Sequence, residues 1–127
     1  MKPRENISNA VSALQGAAES IRRIEEEARE ALYGKDDPGS YRQKLQEKTM
    51  LLMELPELVG PFCDGMAEDI RAEIETRLNS FARNATQAWE LSSLFYMSAL
   101  LYPEDYREGD PNDLESFIDR LRIKYLS

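Results

Sequence analysis

Between Met66 and Tyr102 the chain contains neither glycine nor proline, and this is the feature that most constrains its fold. Along this stretch and just before it, Phe62, Met66, Ile70, Ile74, Leu78, Phe81, Ala85 and Trp89 recur every three or four positions. Residues so spaced share one face of an α-helix, which turns once in about 3.6 residues. The pattern predicts a long helix, reaching roughly 50 Å if it is unbroken. Asparagine and threonine cap helices more readily than they extend them, so Asn84-Ala85-Thr86 is the expected place for any break. From Leu91 to Tyr102 apolar residues run all the way round. A helix of that kind is normally enclosed by others. This segment is therefore expected to be innermost, with Ser92, Ser93 and Ser98 allowing close approach of its neighbours. It is too short to cross a membrane, which takes about 18 or more apolar residues.

The rest of the chain reads as further helices. Ile7, Val11, Leu14, Ala18 and Ile21 form a heptad-like seam that slips at Ile24 and resumes at Ala28 and Leu32. The slip favours packing inside a bundle over an extended coiled coil. This first helix is expected from Arg4 to Tyr33, with Gly34 in the left-handed position that ends it and Lys35-Asp36-Asp37 as the turn. A second helix starts at Asp37-Pro38, where the aspartate caps and the proline loses no needed N–H. Its face carries Tyr41, Leu45, Leu52 and Leu55, interrupted by Lys48, and Met50, Leu51 and Met53 widen it. Leu55-Pro56 predicts a stop, and the prolines and glycines from Pro56 to Gly65 predict a hinge. Pro103 ends the third segment, and Glu104 to Gly109 is an acidic loop. A last helix begins near Asp110-Pro111 and buries Leu114, Phe117, Ile118, Leu121 and Tyr125. Arg120, Arg122 and Lys124 near its end complement the helix dipole. No alternating run predicts a strand. The expected fold is all-α: a single domain over residues 1–127, a bundle of four to five mostly antiparallel helices with a long central helix.

Chemistry is bounded first by an absence. The chain has no histidine, so the commonest general acid/base, the usual partner of a catalytic serine or cysteine, and the commonest metal ligand are all missing. Carboxylate-bridged di-iron bundles need Glu-x-x-His pairs and are excluded. The glycines are too scattered for a phosphate-binding loop. Cys63 is the one cysteine, so no intramolecular disulfide framework exists. Asp64, Glu68 and Asp69 follow it and oppose thiolate formation, so it reads as a structural thiol. Met-Lys-Pro-Arg-Glu-Asn at the start is no signal peptide, and a cytoplasmic protein is expected. No enzyme, metal or cofactor is expected.

The net charge of −8 disfavours non-specific nucleic-acid binding, which needs a cationic footprint. Acids concentrate in Glu25-Glu26-Glu27 and between Glu54 and Glu75. In the second stretch Asp64, Glu68 and Glu75 fall on one helical face, and with Asp69 and Glu73 they are the candidate partner-binding residues. Trp89, Phe95, Tyr96 and Tyr102 read as core aromatics. Arg22, Arg23, Lys44 and Lys48 are the candidate contacts to a phosphate backbone within a larger complex. The leading expectation is a non-catalytic protein-interaction or assembly subunit, with a protein partner or a second copy. In size and helicity the chain is similar to the small helical subunits beside the backbone of CRISPR effector complexes. That analogy implies a nucleoprotein subunit that contacts nucleic acid. A third expectation is an acidic regulator of a nucleic-acid-binding protein.

Overall fold

A computed structural model of the chain describes residues 3–127. It is all-α, and no strand occurs among the described residues. Helix α1 is Pro3–Arg29, α2 is Pro38–Met53, α3 is Leu55–Cys63, α4 is Glu68–Glu90, α5 is Leu94–Ala99 and α6 is Asp113–Leu121. Short π-helical stretches, Glu30–Gly34 and Arg122–Leu126, continue α1 and α6. Helix α1 packs on α2, α3 and α6, and α4 packs on α2, α3 and α5. The main core is the seam of α1 (Ile7, Val11, Leu14, Ala18, Ile21) against Leu52, Leu55, Val59, Ile74, Leu78, Phe81 and the buried face of α6. A small second cluster joins Ala28, Leu45, Ala88 and Met97 beneath α5. No helix is long and apolar enough to cross a membrane among the described residues.

Asp37 and Pro38 begin α2 as the sequence indicates, the Asp37 carboxylate accepting from the Ser40 N–H at 3.1 Å. Other boundaries fall elsewhere, each for a local reason. Gly34 lies inside the π-helical stretch, and Asp36 takes the left-handed conformation (φ 51°) instead. Aspartate tolerates that region better than most residues. The expected hinge from Pro56 to Gly65 is mostly helix α3. Pro56 occupies the first turn of α3, where no N–H is required, so it starts a helix where it was expected to stop one. The break between α2 and α3 falls at Glu54, whose N–H still reaches the Met50 and Leu51 carbonyls, and no loop separates the two helices.

Helix α4 runs unbroken through Asn84-Ala85-Thr86. The Thr86 hydroxyl donates back to the Ala82 carbonyl at 2.8 Å and Ala85 is buried, so neither acts as a cap. Near its end the buried position is Ala88, and Trp89 turns outward. Each four-residue step overshoots a full turn by about 40°, so a stripe advancing by fours drifts off the buried face. The chain breaks at Leu91–Ser93. The segment expected to be innermost, Leu91 to Tyr102, instead lies at the periphery, and among its residues only Met97 and Leu101 are fully buried. The longest buried seam is that of α1, from Ile7 to Ile21.

Candidate interaction surface

The corner between α4 and α5 is built by its serines. The Ser93 N–H donates to the Ala88 carbonyl at 3.2 Å and the Ser92 N–H to the Trp89 carbonyl at 2.9 Å, with Ser92 left-handed at φ 50°. This is the paired bonding of a Schellman motif, with serine where glycine is usual. The Ser93 hydroxyl then accepts from the Tyr96 N–H at 3.1 Å and caps α5. Two turn motifs back to back therefore shape the corner above the small Ala88–Met97 cluster. On it stand Leu91 (65% exposed), Phe95 (74%), Tyr96 (53%) and Trp89 (37%). Phe95 and Tyr96 meet edge to face, ring centroids 5.5 Å apart. Burying a large apolar side chain is worth about 1.5–3 kcal/mol, so covering this group would contribute several such increments.

Next to the corner runs an open groove of about 420 Å³, lined by Asn84, Gln87, Leu91, Tyr96, Leu100 and Asp113 among others. Its far wall is a tight turn. Leu100 (φ −54°, ψ 134°) and Leu101 (φ 78°) have type II geometry, closed by Tyr102 N–H to Ala99 O at 3.0 Å. That turn normally places glycine or asparagine where Leu101 stands, and a bulky residue there costs roughly 1–3 kcal/mol. Three contacts hold it. The Leu101 side chain is buried in the core, its carbonyl accepts from the Asp113 N–H at 2.9 Å, and the next residue, Tyr102, is anchored inside the bundle.

The Tyr102 anchor is a network of charged and polar groups behind the groove. Its hydroxyl donates to Glu25 Oε1 at 2.6 Å and accepts from Arg22 Nη1 at 3.3 Å. Glu25 Oε2 pairs with Lys48 Nζ at 2.9 Å, and the same ammonium donates to the Ser98 carbonyl of α5 at 3.1 Å. Lys48 has no exposed surface, and its ammonium lies 5.1 Å from the Tyr102 ring centroid. Arg22 pairs in a fork with Glu115, at 3.0 and 2.6 Å, and Glu115 completes a capping box with Asn112 at the start of α6. Tyr106 packs edge to face on Tyr102 and donates to the Asp110 carbonyl at 2.8 Å. The network thus ties α1, α2, α5 and α6 together.

Its electrostatics follow from that burial. Desolvation pushes the Lys48 ammonium below its ordinary pKa even though Glu25 supports the charge. Burial, then the bond to Glu25, pushes the Tyr102 phenol well above the ordinary tyrosine range. The Arg22 guanidinium holds the Glu115 carboxyl below the usual range. Cys63 is buried and its thiol is pushed up, first by desolvation and then by Glu75 and Asp64, so it is a poor nucleophile. No cluster of three or more metal-ligating side chains occurs among the described residues.

The residues singled out from the sequence separate. Asp64 and Glu75 line a hollow between α3 and α4, whereas Asp69 and Glu73 line the seam toward α6. Glu73 accepts from Lys124 at 2.8 Å and from the Tyr125 hydroxyl at 2.5 Å, Glu75 pairs with Arg71 at 3.4 Å, and Glu68 is exposed in the first turn of α4. The five acids do not form one face. Among the four basic residues, Arg22 and Lys48 belong to the network, and Lys44 pairs with Glu27 at 3.3 Å and Glu47 at 3.5 Å. Arg23 is exposed and has no ion pair among the described residues. The corner residues Trp89, Leu91, Phe95 and Tyr96 were expected in the core. The signal that places them outside is the Ser92-Ser93 pair, a helix-ending and helix-starting combination embedded in an apolar run. No family model matches the chain, and neither a curated protein nor a solved structure does.

Proposed function

We propose that this chain is a non-catalytic interaction subunit and that the α4–α5 corner is its docking surface. One observation carries the reading: Leu91, Phe95 and Tyr96 stand exposed around one double turn, with Phe95 edge to face against Tyr96 and Tyr96 lining the same groove as Leu91. Isolated exposed apolar residues are ordinary on protein surfaces, but a grouped and fixed patch marks a contact site. Aromatic residues on a preordered backbone give much contact area with little entropy left to lose, which is the composition of interaction hot spots. The buried network beneath gives the corner a firm base.

The basic residues support the nucleoprotein reading less well, since Arg22, Lys44 and Lys48 already hold acids of the same chain. The test uses quantitative capture from the native host by the full chain and by a Leu91→Ser/Phe95→Ser variant. Both positions are exposed, so the variant should fold, and circular dichroism checks that it does. The reading expects specific proteins to be captured by the parent and lost with the variant. Identical capture profiles for two folded proteins would refute it.

A further inference from the structure

We infer that the corner recognises a carboxylate of its partner protein, held by Arg42 and Gln46 in a hollow beside Trp89. The inference rests on the interaction reading above and names the chemistry of the partner. The hollow lies where α2 meets α4 and α5. Its volume is about 140 Å³, and Arg42, Gln46, Trp89, Ser92, Leu94 and Met97 line it. Trp89 is also one of the exposed corner residues, and the Ser92 N–H closes the corner's first turn. One short segment, Trp89 to Met97, therefore supplies a wall of the hollow and also carries the exposed Leu91, Phe95 and Tyr96.

The lining is rich in donors. Arg42 and Trp89 carry donors only, Gln46 and Ser92 carry donors and acceptors, and no carboxylate is among the lining residues. Arg42 is exposed and makes no ion pair among the described residues. Glu47, on the same helix, pairs with Lys44 at 3.5 Å instead. The double turn uses the Ser92 N–H and the Ser93 hydroxyl, and leaves the Ser92 hydroxyl out of its bonding. A guanidinium among neutral donors suits a carboxylate, which it can hold with two parallel hydrogen bonds. One guanidinium compensates one negative charge. A phosphate group would bring nearly two, and a nucleic-acid backbone many, to a chain of net charge −8. Leu94 and Met97 give the hollow an apolar side for the methylene stem of an aspartate or glutamate. The carboxylate comes from such a side chain or from a chain end, and apolar residues next to it cover Leu91 and Phe95.

The test selects binders to the immobilised full chain from a displayed library of short random peptides. One arm presents them with a free C-terminus, and the other fuses the C-terminus to the carrier. A side-chain carboxylate predicts enrichment of aspartate or glutamate beside apolar residues in both arms. A terminal carboxylate predicts enrichment in the first arm alone. Converting the selected carboxylate to its amide should weaken binding to the parent chain about tenfold or more. Against Arg42→Gln the two forms should bind equally, and Arg42→Lys, which keeps the charge without the fork, should restore part of the difference. Leu91→Ser/Phe95→Ser should weaken both forms alike. Absence of enriched carboxylates overturns the inference, as does a carboxylate preference that persists in Arg42→Gln, or peptides that bind the corner variant as well as the parent. So does self-association of the full chain that Arg42→Gln abolishes, which would assign the hollow to a second copy. The interaction reading fails separately, when host capture ignores the corner variant.

Discussion

Replacing Lys48 by methionine removes the buried end of the ion pair that fastens α2 to α1 and α5. Lys48 has no exposed side-chain surface, Glu25 has 13%, and their charged atoms are 2.9 Å apart. At an effective dielectric of about 20 their attraction is roughly 6 kcal/mol. Desolvating each ion costs several kcal/mol, so the net value of the pair is small. Removing one partner is different, because the other charge stays buried, at a cost of about 3–5 kcal/mol. Glu25 keeps the Tyr102 hydroxyl and some solvent, which puts Lys48→Met near the lower end, about 3 kcal/mol. In urea with a slope of about 2 kcal/mol/M, that moves the midpoint down by roughly 1.5 M. Glu25→Leu should cost a similar amount, limited by loss of the Lys48 proton, since that ammonium is already held below its ordinary pKa. The double variant, with similar volumes and no buried charge, should lie within about 1 kcal/mol of the parent. A coupling of about 5–6 kcal/mol from the complete cycle would support this account. Additive losses, or a Lys48→Met cost below about 1 kcal/mol, would refute it.

Asn112→Ala removes the capping box of α6, and thermal or urea unfolding should report a loss of about 1–2 kcal/mol. Ser92→Gly keeps the left-handed turn and relieves its Cβ, so unfolding should report a gain of up to about 1 kcal/mol, and a loss would show that the Ser92 side chain holds the corner. Glu115 and Glu73 have folded-state pKa values below their unfolded ones, held there chiefly by Arg22 and by Lys124. Their contribution is therefore complete above the unfolded carboxylate pKa of about 4.3 and is lost as pH falls through the folded values. The melting temperature should hold steady down to about pH 5 and fall below about pH 4.3, less steeply in Glu115→Gln, and an equally steep fall in that variant would contradict the assignment.

Helical periodicity placed the buried faces of α1 and α6 and the start of α2 correctly, because each is a local pattern with a local start signal. Proline was misjudged at Pro56, where the same missing N–H that ends one helix permits the next to begin. The Leu91–Tyr102 run misled for a different reason. All-round apolarity normally indicates enclosure, and here it belongs to a surface, so local hydrophobicity pointed the wrong way at the proposed docking corner. The network was partly legible. Ile21, Glu25 and Ala28 share a stripe of α1, and Tyr41, Leu45, Lys48 and Leu52 share one of α2. Each apolar stripe thus has one polar gap, and the gaps carry opposite charges. Tyr102, Tyr106 and Glu115 join from distant positions, which no local pattern reveals.

The proposed docking surface can be tested directly with a photo-crosslinking phenylalanine derivative placed at Phe95 in the native host, with Ile123 as the comparison site. Both residues are exposed and apolar. Arg4 bonds to the Leu126 carbonyl at one end of α1, and Arg22 bonds to Tyr102 farther along it. Arg4 and Arg22 are about 27 Å apart along α1, so Leu126 and Tyr102 are held at separate places on that helix. The account predicts discrete crosslinked protein at Phe95 and none at Ile123. No adduct at Phe95, or the same adducts from both sites, would contradict it.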